Sequence, residues 1–205
     1  MVANVQKKWT VEEYLAFERG SEERHEYFDG DVYPVGRPPK PSTHGTGRRH
    51  SLIITNIGSS LGNQLINSTC EVYMCDMRVK VGLIKYCYPD VSVVSNEPFF
   101  ADGEFDILLN PIVIVEVLSP STELDDRGKK FSDYQTLESL QEYILIAQDE
   151  IQVDHYIRQS QGDWLLSIAK TAESEIHLPS VNCTLLLADI YRKITFASDD
   201  NTNGV

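Results

Sequence analysis

Two carboxylates in the middle of the chain stand where a metal-binding pair could form. Glu116 is the one charged residue in the apolar run 111–118, and a carboxylate in such a strand is costly unless it is paired or bound to metal. Asp90 follows Pro89 at the start of the β-branched run 91–94. Each has an ordinary alternative: Glu116 could reach solvent or pair with a basic residue, and Asp90 could cap a turn.

Together the two carboxylates favour phosphodiester chemistry. Neighbouring strands lie ~4.8 Å apart, so acids at matching points of two strands repel each other unless they share a proton or a cation. Mg²⁺ takes one or two protein carboxylates and fills its other positions with water and phosphate. Such an ion activates water and neutralises the charge that develops during hydrolysis. The pattern predicts Asp90 and Glu116 as ligands of Mg²⁺ or Mn²⁺.

A lysine follows in the next predicted helix. Asp126, Lys130 and Tyr134 are spaced i, i+4 and i+8, so they share one helix face and bring an ammonium near the end of the Glu116 strand. The alternative is a surface Asp–Lys pair worth about a few tenths of a kcal/mol. Lys129 lies about 100° away around the helix and is the weaker candidate.

A sheet with helices on its faces is needed to bring these side chains together. The order strand, helix, strand across residues 112–147 predicts a right-handed crossover with at least partly parallel pairing. Hairpins on either side would make the sheet mixed. We therefore expect an α/β (α+β) fold, a mixed β-sheet flanked by helices. It should form a single domain over residues 1–196, followed by a disordered tail at 197–205.

Local patterns give the boundaries of the other elements. Thr10 and Glu13 form a capping box for a short helix, and Asp29-Gly30 indicates a tight turn between two short strands. Residues 34–47 hold four prolines and three glycines, which predicts a long loop at a site mouth. Helices are also predicted at 49–65 and 125–139, strands at 71–81, 88–94, 111–118 and 142–147, and a hairpin from 151–157 and 164–168.

The charge of the chain limits its partners. The formal net charge of -13 argues against a broad basic surface that binds nucleic acid nonspecifically, but it leaves room for a small cationic groove. Arg78 and Lys80, on a predicted strand, face either a DNA backbone or solvent. A basic cluster in or beside the 34–47 loop is either a phosphate-steering patch or a solvated loop. Its members are Arg37, Lys40, Arg48 and Arg49.

Cysteine usage and hydropathy favour a cytoplasmic protein. The four cysteines form no CxxC pair and have no histidine at zinc-finger spacing, which argues against structural zinc. Residues 1–14 lack the apolar segment of a signal peptide. The uncharged stretch 51–70 is too rich in Asn, Gln, Ser and Thr to span a membrane. We expect reduced thiols and no membrane contact.

These residues, in this order, resemble the Uma2 family within the PD-(D/E)XK nuclease superfamily. The resemblance covers the chain from about Trp9 to Tyr191. Its motifs are Glu26-Tyr-Phe-Asp-Gly30, His50, Tyr88-Pro-Asp90, Val115-Glu-Val-Leu-Ser-Pro-Ser-Thr122, Asp126-Arg-Gly-Lys-Lys130, Tyr134 and Glu142-Tyr-Ile. The resemblance implies a restriction-endonuclease-like fold whose metal-binding acids are Asp90 and Glu116, with Glu26 as an additional carboxylate. That superfamily has a lysine where this chain has Leu118, which makes Lys130 its replacement.

The function implied by the resemblance is a metal-dependent endonuclease that hydrolyses phosphodiester bonds, with DNA as the expected partner. Its catalytic residues would be Glu26, Asp90, Glu116 and Lys130. Supporting roles would fall to His50, Asp126, Arg127 and Tyr134. The alternatives are a catalytically inactive nucleic-acid-binding or interaction protein that retains the fold, and a hydrolase of another substrate, because fold does not fix function. The sequence leaves the oligomeric state open; nucleases of this fold are often dimers, and the apolar pair Phe99-Phe100 could contribute to a homodimer interface.

Overall fold

The computed structural model describes residues 8–35, 47–119 and 123–196. The helices in these ranges are α1 (Val11–Arg19), α2 (Arg48–Leu65), α3 (Glu123–Asp125), α4 (Phe131–Tyr134) and α5 (Leu187–Ile190), with a π turn (Asp126–Lys130) joining α3 to α4. Among the described residues, no helix is both long enough and apolar enough to cross a membrane.

The strands fall into two mixed sheets and a separate hairpin. In chain order they are β1 (His25–Phe28), β2 (Asp31–Pro34), β3 (Glu71–Met74), β4 (Arg78–Val81), β5 (Lys85–Cys87), β6 (Val91–Val94), β7 (Ile107–Leu108), β8 (Val113–Leu118), β9 (Glu142–Ala147), β10 (Val153–Arg158), β11 (Trp164–Ala169), β12 (Glu175–Leu178) and β13 (Cys183–Leu186). Sheet A has the order β2-β1-β5-β4-β7, sheet B has the order β11-β10-β9-β8-β6-β3, and β12 pairs with β13.

Strand β8 lies inside sheet B and is buried on both faces. It runs parallel to β9 and antiparallel to β6, and the helical segment 123–134 connects it to β9. This confirms the predicted strand–helix–strand unit. Alternate residues serve two different cores: Val113, Val115 and Val117 pack with α2 on one side, whereas Ile114 and Leu118 face the other side.

The cores follow the layers of the fold. One lies between sheet B and α2, and it also takes in α5 and the β12–β13 hairpin. A second lies between sheets A and B and includes Tyr134 of α4. A third packs α1 onto the outer face of sheet A through Tyr14, Tyr27 and Tyr86. The predicted mixed α+β architecture is confirmed, although its strands divide between two facing sheets.

Local signals near the N-terminus are also confirmed. The Thr10 side chain accepts a hydrogen bond from the Glu13 amide, and the Glu13 carboxylate accepts one from the Thr10 amide, so α1 begins with the predicted capping box. Asp29 and Gly30 adopt φ values of 48° and 88°. Both are positive, as required of a tight hairpin turn that matches the twist of its strands, and this turn joins β1 to β2.

Two predicted elements differ from the structure. The strand predicted at 71–81 is broken at Cys75, whose φ is 59°, so that β3 joins sheet B and β4 joins sheet A. The helix predicted to reach residue 139 ends at Tyr134, because Thr136 donates through both its amide and its hydroxyl to the Asp133 carbonyl. Such local bonds compete with helix continuation.

Some predictions fall on residues that the structure does not describe. These are residues 36–46 of the 34–47 loop, with Arg37 and Lys40 of the basic cluster, and the 197–205 tail. The division into a 1–196 domain and a tail therefore stays a prediction.

Candidate active site

Strand register brings Asp90 opposite Glu116. Val91 of β6 pairs with Val115 of β8 in an antiparallel ladder, so the next pair outward is Asp90 with Glu116. Both valines pack toward α2, and alternation turns the two acids to the opposite face, toward sheet A. The Val117 amide donates to Asp90 Oδ2 at 2.7 Å, and the Asp90 amide lies 3.4 Å from Glu116 Oε2.

Glu26 approaches the pair from the other sheet. It lies on β1, where its neighbours Tyr27 and His25 contact α1 and where Phe28 packs into the core between the sheets. Alternation therefore turns Glu26 toward sheet B. Its Oε1 accepts a hydrogen bond of 3.1 Å from the Tyr88 amide, which is two residues before Asp90.

The ammonium of Lys130 lies between the carboxylates of the two sheets. Its Nζ is 2.9 Å from Glu116 Oε1, 3.5 Å from Glu26 Oε1 and 3.7 Å from Asp126 Oδ1. Both Lys130 and Asp126 are buried, so the alternative of a surface Asp–Lys pair is wrong. The i, i+4 spacing correctly placed this amine near Glu116.

The π turn and α4 hold the lysine and a tyrosine against Glu116. The Tyr134 hydroxyl donates to Glu116 Oε1 at 3.0 Å, and Tyr134 is fully buried. The Tyr143 hydroxyl of β9 donates to the Asp126 carbonyl at 3.1 Å, at the first residue of the π turn. Single π turns inside helices are frequent at functional sites. This one places Asp126 and Lys130 on the side of the segment that faces the strands.

His50 reaches the same place from the start of α2. Its Nε2 lies 3.3 Å from Asp90 Oδ2, and the residue is buried. We call the set Glu26, Asp90, Glu116, Asp126 and Lys130 the acidic cluster. It contains four carboxylates and one ammonium, with the His50 imidazole at its border.

This surplus of carboxylates sets the protonation of the cluster. Burial raises the pKa of Glu116 to about 8; Lys130 opposes the rise, while Asp90 and Asp126 add to it. Burial also disfavours the charged form of Lys130, but Glu116, Glu26 and Asp126 outweigh it and raise the pKa of the ammonium well above its ordinary value. A further positive charge beside Glu116 and Asp90 would therefore be electrostatically favourable.

Several other basic residues lie outside the cluster. Arg127 pairs with Glu123 and Asp154, so it does not join the cluster, and its supporting role stays a prediction. Lys129 lies 5.4 Å above the Phe28 ring. Arg78 faces neither DNA nor solvent, because it is buried and donates to Tyr88 Oη and Asp106 Oδ2. Lys80 lies 6.0 Å from the centre of the Tyr86 ring.

Sequence reasoning missed a buried network behind the site. Glu18, at the end of α1, accepts hydrogen bonds from the Tyr88 hydroxyl at 2.9 Å and the His25 amide at 2.9 Å. Tyr88 and His25 immediately precede Pro89-Asp90 and Glu26, so the network fixes the chain before two of the predicted catalytic acids. Its only sequence signal was that Glu18 lies four residues after Tyr14, on the buried face of α1.

The donor set of the cluster suits a hard divalent cation. In the residues that the structure describes, no three His, Cys, Asp or Glu side chains are arranged to hold a metal ion. Magnesium does not require three, since it binds through one or two carboxylates plus water and phosphate. Asp90 and Glu116, opposed across paired strands, are oxygen donors of that kind and number. They are the residues that would hold the ion.

Comparisons with known proteins found a family model and two relatives that match most of this chain. Residues 11–188 match the model of the Uma2 family, described as "Putative restriction endonuclease". The uncharacterized protein slr1290 of a Synechocystis strain is 34% identical over 190 residues, which is 92% of this chain and 94% of that one. Protein sll1609 of the same organism is 33% identical over 177 residues, covering 86% and 96%.

A solved structure shares the fold. It is a crystal structure titled as that of a putative nuclease belonging to DUF820, from Anabaena variabilis. The likeness has a TM-score of 0.69 and 20% sequence identity, and it covers 89% of this chain and 97% of the other. At this identity the likeness shows the architecture: the mixed sheets and the helices on their faces.

Proposed function

The chain belongs to the Uma2 family, and from that premise and the acidic cluster we propose that it is a metal-dependent endonuclease that hydrolyses phosphodiester bonds, with DNA as its substrate. The observation that carries the proposal is the convergence of Asp90, Glu116 and Lys130 from three different elements. Two acids and an amine at one point are the parts that metal-assisted attack of water on a phosphate requires.

Each side chain has a task in this proposal. A divalent ion such as Mg²⁺ or Mn²⁺, when bound, would supply an activated water and would neutralise charge on the phosphate. Asp90 and Glu116 would hold the ion, and the Val117 amide and the Tyr134 hydroxyl fix the orientation of their carboxylates. Lys130 orients the attacking water and stabilises the negative charge that develops. Glu26 supports the site by holding the Lys130 ammonium at 3.5 Å.

The neighbourhood of the cluster supports two auxiliary roles. His50, beside Asp90, is placed to contact a phosphate oxygen or a metal-bound water. Asp126 shares the Lys130 ammonium with Glu116 and Glu26, which helps to keep the amine charged and in place. The cytoplasmic location expected from the sequence remains part of the proposal.

A cleavage assay with isosteric variants tests the proposal. Purified protein is incubated with double- and single-stranded DNA and with RNA, in Mg²⁺, Mn²⁺ or EDTA. Asp90→Asn and Glu116→Gln should reduce metal-dependent cleavage by at least ~10²-fold, the scale for loss of one preorganised electrostatic group. Glu173→Gln, an exposed change away from the cluster, is the control. Undiminished cleavage by Glu116→Gln would overturn the mechanism.

A second candidate is a nucleic-acid-binding or interaction protein that retains the fold without catalysis. The net charge of -13 and the direct 2.9 Å contact of Lys130 with Glu116 favour it, since the ammonium already occupies a carboxyl oxygen that a metal would need. Melting curves with and without Mn²⁺ separate the two. A nuclease should be stabilised by the ion in a manner lost in Asp90→Asn, whereas an inactive relative should not respond.

A further inference from the structure

The two large sheets differ in how their edges are protected. An edge strand exposes unpaired amides and carbonyls, and natural proteins shield it with shortness, charge or proline. In sheet A, edge strand β2 contains Asp31 and Pro34, and edge strand β7 has two residues. In sheet B, edge strand β3 has four residues, including Glu71. Edge strand β11 has six residues, Trp-Leu-Leu-Ser-Ile-Ala, with neither charge nor proline.

The hydrogen-bond pattern shows which amides of β11 point outward. At the β10–β11 turn the Gln159 amide donates to the Asp163 carbonyl at 2.7 Å, so the backbone of Asp163 faces β10. Bonding direction alternates along an antiparallel strand. The backbones of residues 165, 167 and 169 therefore face β10, and those of Trp164, Leu166 and Ile168 point away from the sheet.

The side chains of β11 are unusually apolar for their exposure. Leu165, Leu166 and Ile168 are 57%, 42% and 50% exposed, and they project on both faces of the strand. Trp164 is half-buried, with the Arg158 guanidinium 4.8 Å above its ring. A long, uncharged and hydrophobic open edge is the kind of surface that pairs with another strand.

We propose that β11 is the docking surface for a second copy of this chain. The two strands pair antiparallel about a twofold axis at Leu166, which joins two copies of sheet B into one continuous sheet. In this register Leu166 faces its own counterpart and Trp164 faces Ile168, so the outward amides and carbonyls of one copy meet those of the other. The interface is isologous, as in most closed homodimers.

Charge favours a second copy at this edge. Each chain carries a net charge of -13, so two copies repel each other over most of their surfaces, whereas residues 164–169 carry no charge. Asp163 precedes the strand and Lys170 follows it. Antiparallel pairing puts the Asp163 end of one copy beside the Lys170 end of the other, which brings unlike charges together at both ends of the interface.

Mass measurement by sedimentation or light scattering tests the proposal. The wild-type chain should have twice its monomer mass of 23.2 kDa. Leu166→Lys should shift the mass to that of the monomer, because a lysine at the twofold axis opposes its own copy. Leu83→Lys, at a residue 84% exposed in the β4–β5 turn, is the matched control and should remain dimeric. A monomeric wild-type protein, or a dimer in Leu166→Lys, would overturn the proposal.

Cysteine cross-linking tests the register. In a Cys75→Ser background, which removes the exposed native thiol, Leu166→Cys should oxidise to a covalent dimer. Its Cα atoms would lie ~5.5 Å apart in a hydrogen-bonded pair, within the span of a disulfide. Leu165→Cys would face Ser167 of the other copy, beyond the reach of its own counterpart, and should not cross-link. Equal cross-linking of both variants would contradict this register.

Discussion

Two buried glutamates on adjacent parallel strands, Glu142 and Glu116, differ in the groups that surround their carboxylates. Glu142 begins β9, and its carboxylate accepts from the amide and hydroxyl of Ser180 and lies 2.5 Å from His155 Nε2. Glu116, near the end of β8, faces Asp90 and shares Lys130 with Glu26 and Asp126. The Glu142 carboxylate therefore has hydrogen-bond partners of its own, whereas the Glu116 carboxylate shares one ammonium with other carboxylates.

The comparison shows what separates a structural acid from a chemical one. A buried carboxylate that accepts hydrogen bonds from fixed donors adds to stability and specificity. A buried carboxylate among other carboxylates destabilises its surroundings unless a further cation arrives. Burial alone therefore does not mark a site. The chemistry of the neighbouring side chains does, and on that criterion Glu116 is the one of the two for which we propose a functional role.

The largest expected difference is in the cleavage rate when the partner of Glu116 or the partner of Glu142 is replaced. Lys130→Met removes the ammonium but keeps the length of the side chain, and it should lower metal-dependent cleavage by at least ~10²-fold, because developing charge on the phosphate loses its stabilising group. His155→Gln alters the partner of Glu142 and should leave the turnover of folded protein unchanged. Single-turnover cleavage rates measure both. Equal losses of cleavage rate in the two variants would contradict the assignment of a functional role to Glu116 and a structural role to Glu142.

A smaller contrast is expected in the free energy of unfolding. Glu142→Leu leaves the buried His155 ring and the half-buried Ser180 donors without an acceptor, and a buried polar group left unpaired costs ~1–3 kcal/mol. Glu116→Gln keeps an oxygen for Tyr134 and imitates the protonated form of a carboxyl whose pKa is raised by burial, so at the low-pH end of its titration it should change stability little. Urea unfolding of the metal-free proteins provides the measurement. A more severe loss in Glu116→Gln than in Glu142→Leu would reverse our assignment.

The smallest effect is a pH dependence. The pKa of Glu116 is raised from 4.5 to about 8 by folding, so between these values the folded protein holds a proton that the unfolded chain has released. Its contribution to stability is complete below pH 4.5 and is lost as pH rises through about 8. Metal-free wild type should therefore lose stability relative to Glu116→Gln over this window. A constant difference in urea titrations would contradict the shift.

The central pair could be predicted because strand patterns fix it. Asp90, at the start of one β-branched run, and Glu116, in the next apolar run, lie opposite each other as predicted. The helical spacing also correctly predicted that Lys130 lies near Glu116. The same pattern is ambiguous, however, because Glu142 also stands beside an apolar run. Its partners His155 and Ser180 are 13 and 38 residues away, and only tertiary structure shows that they satisfy it.

The features of the site that could not be predicted from the sequence depend on how the strands divide between the two sheets. Residues 71–81 contain no glycine or proline, and nothing in their pattern indicates that Cys75 would end β3 and that β4 would join the other sheet. That division places Glu26 across from Asp90, and it buries Arg78, which the pattern left facing DNA or solvent. Glu18 was hidden for a related reason, since its donors come from β1 and from the segment before Asp90.

The π turn at Asp126–Lys130 constrains the length of the chain as well as its residues. Each residue of a helix turns the chain by about 100°, so loss of one residue between Asp126 and Lys130 would turn Asp126 away from the side of the segment that Lys130 and Tyr134 share. Surface loops accept insertions and deletions readily, but this turn cannot. Its exposed Gly128 and Lys129 are free to vary in type, while the count of residues between Asp126 and Tyr134 must be kept.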